Sequence, residues 1–199
     1  MLKVGLTGSI AVGKSYVVEI LRTLGAFVVD ADRTAREVVA PETRGWQLII
    51  EQFGSNILQP NNEIDRMKLG TVVFADEAKR QLLNSIVHPL VIEAQDKWLR
   101  ERAAENPAGI AVVEAALMIE SGGYRRFDKL IVVWCEAEIQ LRRLMERNDL
   151  AEEEALKRIN AQMPQEEKKR YADYTIDTSE GFNQTREQTV EIYERLKLL

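Results

Sequence analysis

The sequence predicts an α/β protein in which a five-stranded parallel sheet lies between layers of helices. Three observations carry that expectation. First, the runs Leu2–Leu6, Ala26–Val29, Ile110–Val113, Leu130–Val133 and Tyr174–Ile176 have strand length. The middle ones are continuous and β-branched, as strands covered on both faces are. Second, segments of helical period separate these runs. Third, a glycine-rich stretch joins the first strand directly to the first helix.

That stretch is Gly8-Ser9-Ile10-Ala11-Val12-Gly13-Lys14-Ser15. It satisfies G-x-x-x-x-G-K-[ST], and the strand before it and the helix Tyr16–Arg22 after it supply the context such a loop needs. The glycines let the backbone curl until successive N–H groups point at a phosphate, and the helix N-terminus adds positive potential. Lys14 is placed to reach the β- and γ-phosphates of a nucleoside triphosphate, ATP in a kinase, and the Ser15 hydroxyl to complete the coordination of Mg²⁺. Gly25 falls where the first helix should end, a usual C-terminal position.

The strands are unevenly spaced. One helix joins the first two, whereas a long helical insert over 31–107 separates the second from the third. Asp65 and Asp76 read as N-caps within it, Gly54 and Gln59-Pro60-Asn61-Asn62 as breaks, and Val87-His88-Pro89 as the start of a long segment through Trp98 and Arg102. An insert at the carboxyl end of a strand overhangs the crevice where open α/β sheets bind ligands, so it reads as the acceptor lobe. A second excursion, 136–172, reads as a helix pair rich in both arginine and acids. As a solvated pair it would carry ion pairs such as Glu154 with Arg158. As a lid it would bring arginines to the transferring phosphate, with Arg143 and Arg147 on one helix face. The core is then 1–30, 108–135 and 173–199, closed by an amphipathic helix with Val190, Tyr193 and Leu196 on one face.

Composition narrows the class. A 199-residue chain holds one sizeable core, and a net charge of −5 argues against general nucleic-acid or membrane-surface binding. No apolar run has the length of a membrane span, and Cys135 is the only cysteine, so an intrachain disulfide and a multi-cysteine metal site are both excluded. A soluble cytoplasmic protein of undetermined oligomeric state is the expectation.

Several side chains are candidates for chemistry. The second strand ends in Asp30-Ala31-Asp32, and a carboxylate there can orient an acceptor hydroxyl and take its proton, while the other can hold Mg²⁺ through water. Asp32 as the N-cap of a helix Thr34–Val39 is the competing reading. Glu114 and Glu120 stand either near metal-bound water or on the surface. His88, the only histidine, taken alone reads as a helix-start or core residue. Tyr16, Trp46, Trp98 and Trp134 read as packing residues, and Cys135 as inert.

The phosphate loop, Asp30-Ala31-Asp32 with Ala35-Arg36, and Ile86-Val87-His88-Pro89-Leu90 together resemble the dephospho-coenzyme A kinase family. So do Leu117-Met118-Ile119-Glu120, the run Gln140–Arg147, Arg158-Ile159-Asn160-Ala161-Gln162, and Ala172-Asp173 through Ile176-Asp177, in the family's order over essentially the whole chain. The resemblance implies a three-layer P-loop kinase core with a helical acceptor-binding insert and a helical lid. It also implies transfer of the ATP γ-phosphate to the ribose 3′-hydroxyl of dephospho-coenzyme A. By the same likeness Asp32 is the base, working with Lys14 and Arg143, and Arg147 lies by the adenine. Gly8 to Tyr16 hold the nucleotide, and Asp32, His88, Glu120 and Arg143 the acceptor. Glu114-Ala115-Ala116 departs from a common aspartate and proline, Tyr16 from a threonine and Thr178 from an asparagine, so no role is carried to Glu114 or Thr178. A nucleoside monophosphate kinase would share loop, sheet and lid but not this insert. A guanine-dependent switch would carry an Asn-Lys-x-Asp element, which this chain lacks.

Overall fold

The computed structural model describes residues 1–199. The strands are β1 (Leu2–Thr7), β2 (Phe27–Asp30), β3 (Ile110–Glu114), β4 (Lys129–Trp134) and β5 (Tyr174–Asp177). They form one sheet in the order β2-β3-β1-β4-β5, with β1 parallel to β3 and to β4, and β4 parallel to β5. All five lie on the runs expected to be strands. β1 is central: Val4 and Leu6 are wholly buried, and Leu2 pairs in register with Ile110 while Val4 pairs with Lys129. Helix α1 (Lys14–Thr23) follows the glycine-rich loop, and Gly25 adopts a left-handed φ of 99° just beyond it. Helix α9 (Phe182–Leu196) buries Thr185, Thr189, Ile192, Tyr193 and Leu196 and contacts both α1 and β5. The buried stripe runs through Ile192 rather than Val190, which borders a surface groove instead.

By contact density the chain divides into two units, 1–29 with 101–199, and 30–100. In the second lie α2 (Ala31–Glu37), α3 (Arg44–Phe53), α4 (Arg66–Phe74) and most of α5 (Glu77–Glu105). Its core is small: Ile49, Ile57, Leu69 and Val73, with Val39, Phe53 and Ile86 against them. Asp65 caps α4 through the N–H groups of Met67 and Lys68, and Asp76 accepts from those of Ala78 and Lys79.

Three expectations are corrected. Asp30, not Asp32, caps the helix after β2: its Oδ1 accepts from the N–H groups of Asp32 (2.8 Å) and Arg33 (3.2 Å), so α2 starts at Ala31 rather than Thr34. The residue in extended conformation at the strand end wins the cap, and Asp32 falls in the first turn, where its carboxylate complements the helix dipole. No helix starts at His88. α5 runs unbroken for 29 residues with Pro89 inside it, both His88 and Pro89 exposed. The proline removes only the bond to Ser85, whose exposed position leaves that carbonyl to water. The arginine-bearing excursion holds three helices rather than two: α6 (Ala137–Asn148), α7 (Glu152–Asn160) and the short α8 (Gln165–Lys169). No helix is long and apolar enough to cross a membrane.

Candidate active site

The loop from Gly8 to Ser15 is shaped by backbone packing. A Cβ at Gly8 would lie 2.2 Å from the Val133 carbonyl oxygen, so only glycine lets the loop leave the sheet this close to β4. Gly13, at the N-terminus of α1, has a left-handed φ of 87°, and a Cβ there would press on Thr178. The Lys14 ammonium donates to the carbonyls of Gly8 (2.8 Å) and Ser9 (3.1 Å), folding back over its own loop. Ser15 is exposed at the first turn of α1. The Ser9 hydroxyl is buried with no hydrogen-bond partner, a donor that a phosphate oxygen would satisfy.

Thr178, directly after β5, holds the far side of the loop. Its hydroxyl donates to the Val12 carbonyl at 2.8 Å and accepts from Arg143 Nη1 at 2.9 Å, while Arg143 Nη2 donates to the Thr178 carbonyl at 2.8 Å. Arg143 is therefore fixed against the loop. Arg147, one turn on, is exposed and donates to the Asn148 side chain, so the two arginines of one face have different environments. Tyr16 sets its ring edge-on to Phe182, centroids 4.8 Å apart, and donates its hydroxyl to the Phe182 carbonyl. Burial pushes the Cys135 thiol up in pKa, an effect the neighbouring Arg143 charge partly offsets.

Glu120 is already engaged. Its Oε1 lies 2.8 Å from the Lys168 ammonium and accepts the Met163 N–H at 3.2 Å. Lys168 reads in sequence as one of a solvated basic run, yet it is wholly buried and also donates to the Ala116 carbonyl at 2.8 Å. Its partner lies in a loop 48 residues earlier, so no local spacing announces it. Glu154 and Arg158 do form the expected pair, Nε to Oε1 at 3.3 Å.

In the 30–100 unit, a cavity of about 490 Å³ opens between α2, α3, α4 and α5. Asp32, Glu63, Arg36 and Arg66 supply its charge, two acids and two bases, and Ile49, Leu69 and Val87 part of its apolar wall. The Asp32 carboxylate is exposed at this cavity; His88 is not among the lining residues. Arg66 was missed by sequence reading, because the residue after a capping aspartate reads as a solvated first-turn side chain.

No group of three or more His, Cys, Asp or Glu side chains gathers to hold a metal ion. The exposed Ser15 hydroxyl is an oxygen donor of the kind Mg²⁺ takes alongside phosphate oxygens and water.

A phosphate-binding loop between the central strand and the first helix of a five-stranded parallel sheet, with cations gathered at it, defines a P-loop kinase. The chain belongs to the dephospho-CoA kinase family, whose model matches residues 2–184. It is 47% identical to a dephospho-CoA kinase of Geobacillus kaustophilus over 96% of this chain and 94% of that protein. With one from Syntrophus aciditrophicus it shares 41% identity, over 98% and 83% of the two. Among solved structures it is similar to a dephospho-CoA kinase from Campylobacter jejuni, with a TM-score of 0.74 at 29% identity over 98% of this chain and 97% of that one.

Proposed function

We propose that the chain transfers the γ-phosphoryl group of ATP to the ribose 3′-hydroxyl of dephospho-coenzyme A, giving coenzyme A and ADP. The family match over residues 2–184 carries this reading. The acceptor oxygen forms a bond to the γ-phosphorus as the bond from that phosphorus to the β,γ-bridging oxygen breaks. ADP leaves with the bridging oxygen, and the hydroxyl proton passes to Asp32.

Lys14 exchanges its two loop carbonyls for the β- and γ-phosphates, and the loop N–H groups other than those of Ile10 and Tyr16, which are already bonded, take the remaining oxygens. Ser15 would hold Mg²⁺ together with the phosphates, and the ion would supply charge neutralisation. Arg143, already oriented by Thr178, stabilises charge on the transferring group, and Arg147 lies by the adenine. The cavity of the 30–100 unit suits an acceptor that is anionic in one part and apolar in another: Arg36 and Arg66 take its phosphates, the apolar wall its extended arm. His88, exposed on α5 next to the cavity-lining Val87, would contact the acceptor outside the cavity. Glu120 acts by holding Lys168 and α8 in place. The insert from 31 to 107 is the acceptor lobe, and 136–172 the lid.

The experiment is ADP release by the purified protein with Mg-ATP and a panel of acceptors. Stimulation by dephospho-coenzyme A alone is the expected result. Stimulation by nucleoside monophosphates, or hydrolysis indifferent to any acceptor, would overturn it.

A further inference from the structure

Three glutamines that the chemistry does not use form one directed chain of hydrogen bonds ending on the phosphate loop. The Cys135 N–H, at the end of β4, donates to Gln165 Oε1 at 3.0 Å, and Gln165 Nε2 donates to Gln140 Oε1 at 2.7 Å. Gln140 Nε2 then donates to the Ile10 carbonyl at 2.8 Å. From its other side, the Ile10 N–H donates to Gln162 Oε1 at 2.8 Å. Both backbone polar groups of Ile10 are thus taken by side chains from α6 and from the connection between α7 and α8. Gln140 is only 2% exposed. It must donate at one end and accept at the other, which an amide does and neither a carboxylate nor an aliphatic chain can.

What this holds in place is the next residue. Ala11 has a φ of 61°, a left-handed conformation disfavoured for a residue with a Cβ. It sits between Ile10, held by the glutamines, and Val12, whose carbonyl is held by Thr178. A left-handed residue within a turn is what aims consecutive N–H groups into one concavity for an anion.

We propose that Gln140, Gln162 and Gln165 are positioning residues for the nucleotide: an amide clamp on Ile10 that keeps the phosphate loop in its anion-binding shape before the nucleotide arrives. The proposal rests on the reading that this loop takes the triphosphate. The test uses the full chain and the variants Gln140→Met and Gln162→Met, which keep side-chain length and remove the amide. Calorimetric titration with Mg-ATP in the absence of acceptor should show Kd raised about tenfold, the cost of one unmade buried hydrogen bond. The KM for ATP should rise with it, while that for dephospho-coenzyme A stays within about twofold, because the clamp touches the loop and the end of β4 and no residue assigned to the acceptor. Adding Ala11→Gly to either variant should recover about threefold or more of the lost affinity, since glycine adopts the left-handed conformation without help.

Unchanged ATP affinity, parallel changes in both KM values, or no recovery with glycine at position 11 would overturn the clamp. Should Gln140→Met fail to fold, Gln162→Met at its half-buried position decides the question by the same criteria. Failure of the unmodified protein to bind Mg-ATP would overturn the functional reading, and the clamp with it. Tight binding by the unmodified protein and both variants alike would overturn the clamp alone.

Discussion

The two units of this molecule solve different problems. The unit of 1–29 with 101–199 holds its site by buried, directed bonds: Thr178 on Val12, Arg143 on Thr178, Gln140 on Ile10, Lys168 on Ala116 and Glu120. The 30–100 unit has a small apolar core, helix caps and exposed ion pairs such as Arg33 with Glu37, and its cavity is lined by apolar side chains with a few charged ones. A triphosphate presents the same oxygens whenever it binds, so its cradle is made rigid in advance. An acceptor with a long flexible arm is better met by an apolar wall with a few cations. The difference teaches that substitutions in the two units should separate ATP kinetics from acceptor kinetics.

The largest expected effect falls on the proposed base. Asp32→Asn should lower kcat by about 10²-fold or more, with ATP binding largely kept, because on the proposed mechanism it removes the proton acceptor. Steady-state kinetics with a parallel ATP titration check this. An unchanged kcat would take Asp32 out of the base role. Arg36→Ala should raise the KM for the acceptor by about tenfold, the loss expected for one charge-assisted contact, and leave the KM for ATP alone. A matching rise in both would break the division between the units.

Sequence reading reached far into the sheet and less far into the polar bonds. β3 and β4 announce themselves as β-branched runs because both of their faces are covered, and the loop because its residues answer to a phosphate rather than to distant packing. Asp30 and Asp32 could not be ranked as caps from spacing, since that depends on which residue ends β2 in an extended conformation. Val87-His88-Pro89 read as a helix start because sequence does not show that the carbonyl Pro89 strands faces water. Gln140, Gln162, Gln165 and Lys168 stayed hidden for a different reason: their partners are 25 to 152 residues away in the chain. Long-range polar bonds leave no periodicity.

Smaller effects follow from the cap. Asp30→Ala should cost about 1 kcal/mol of stability, read as a fall in Tm of about 2–4 °C. Asp32→Ala, which removes no cap and only a dipole interaction, should lower Tm less, and the reverse order would contradict the capping assignment. Smallest of all, the Cys135 thiol, buried and pushed up in pKa, should react with a thiol reagent at pH 8 far more slowly than in the unfolded chain.

Transfer of label from [γ-³²P]ATP tests the central claim most directly. With dephospho-coenzyme A present, the label should appear in coenzyme A, on the ribose 3′-oxygen, in step with ADP. Label appearing as inorganic phosphate at a rate indifferent to the acceptor would contradict the account.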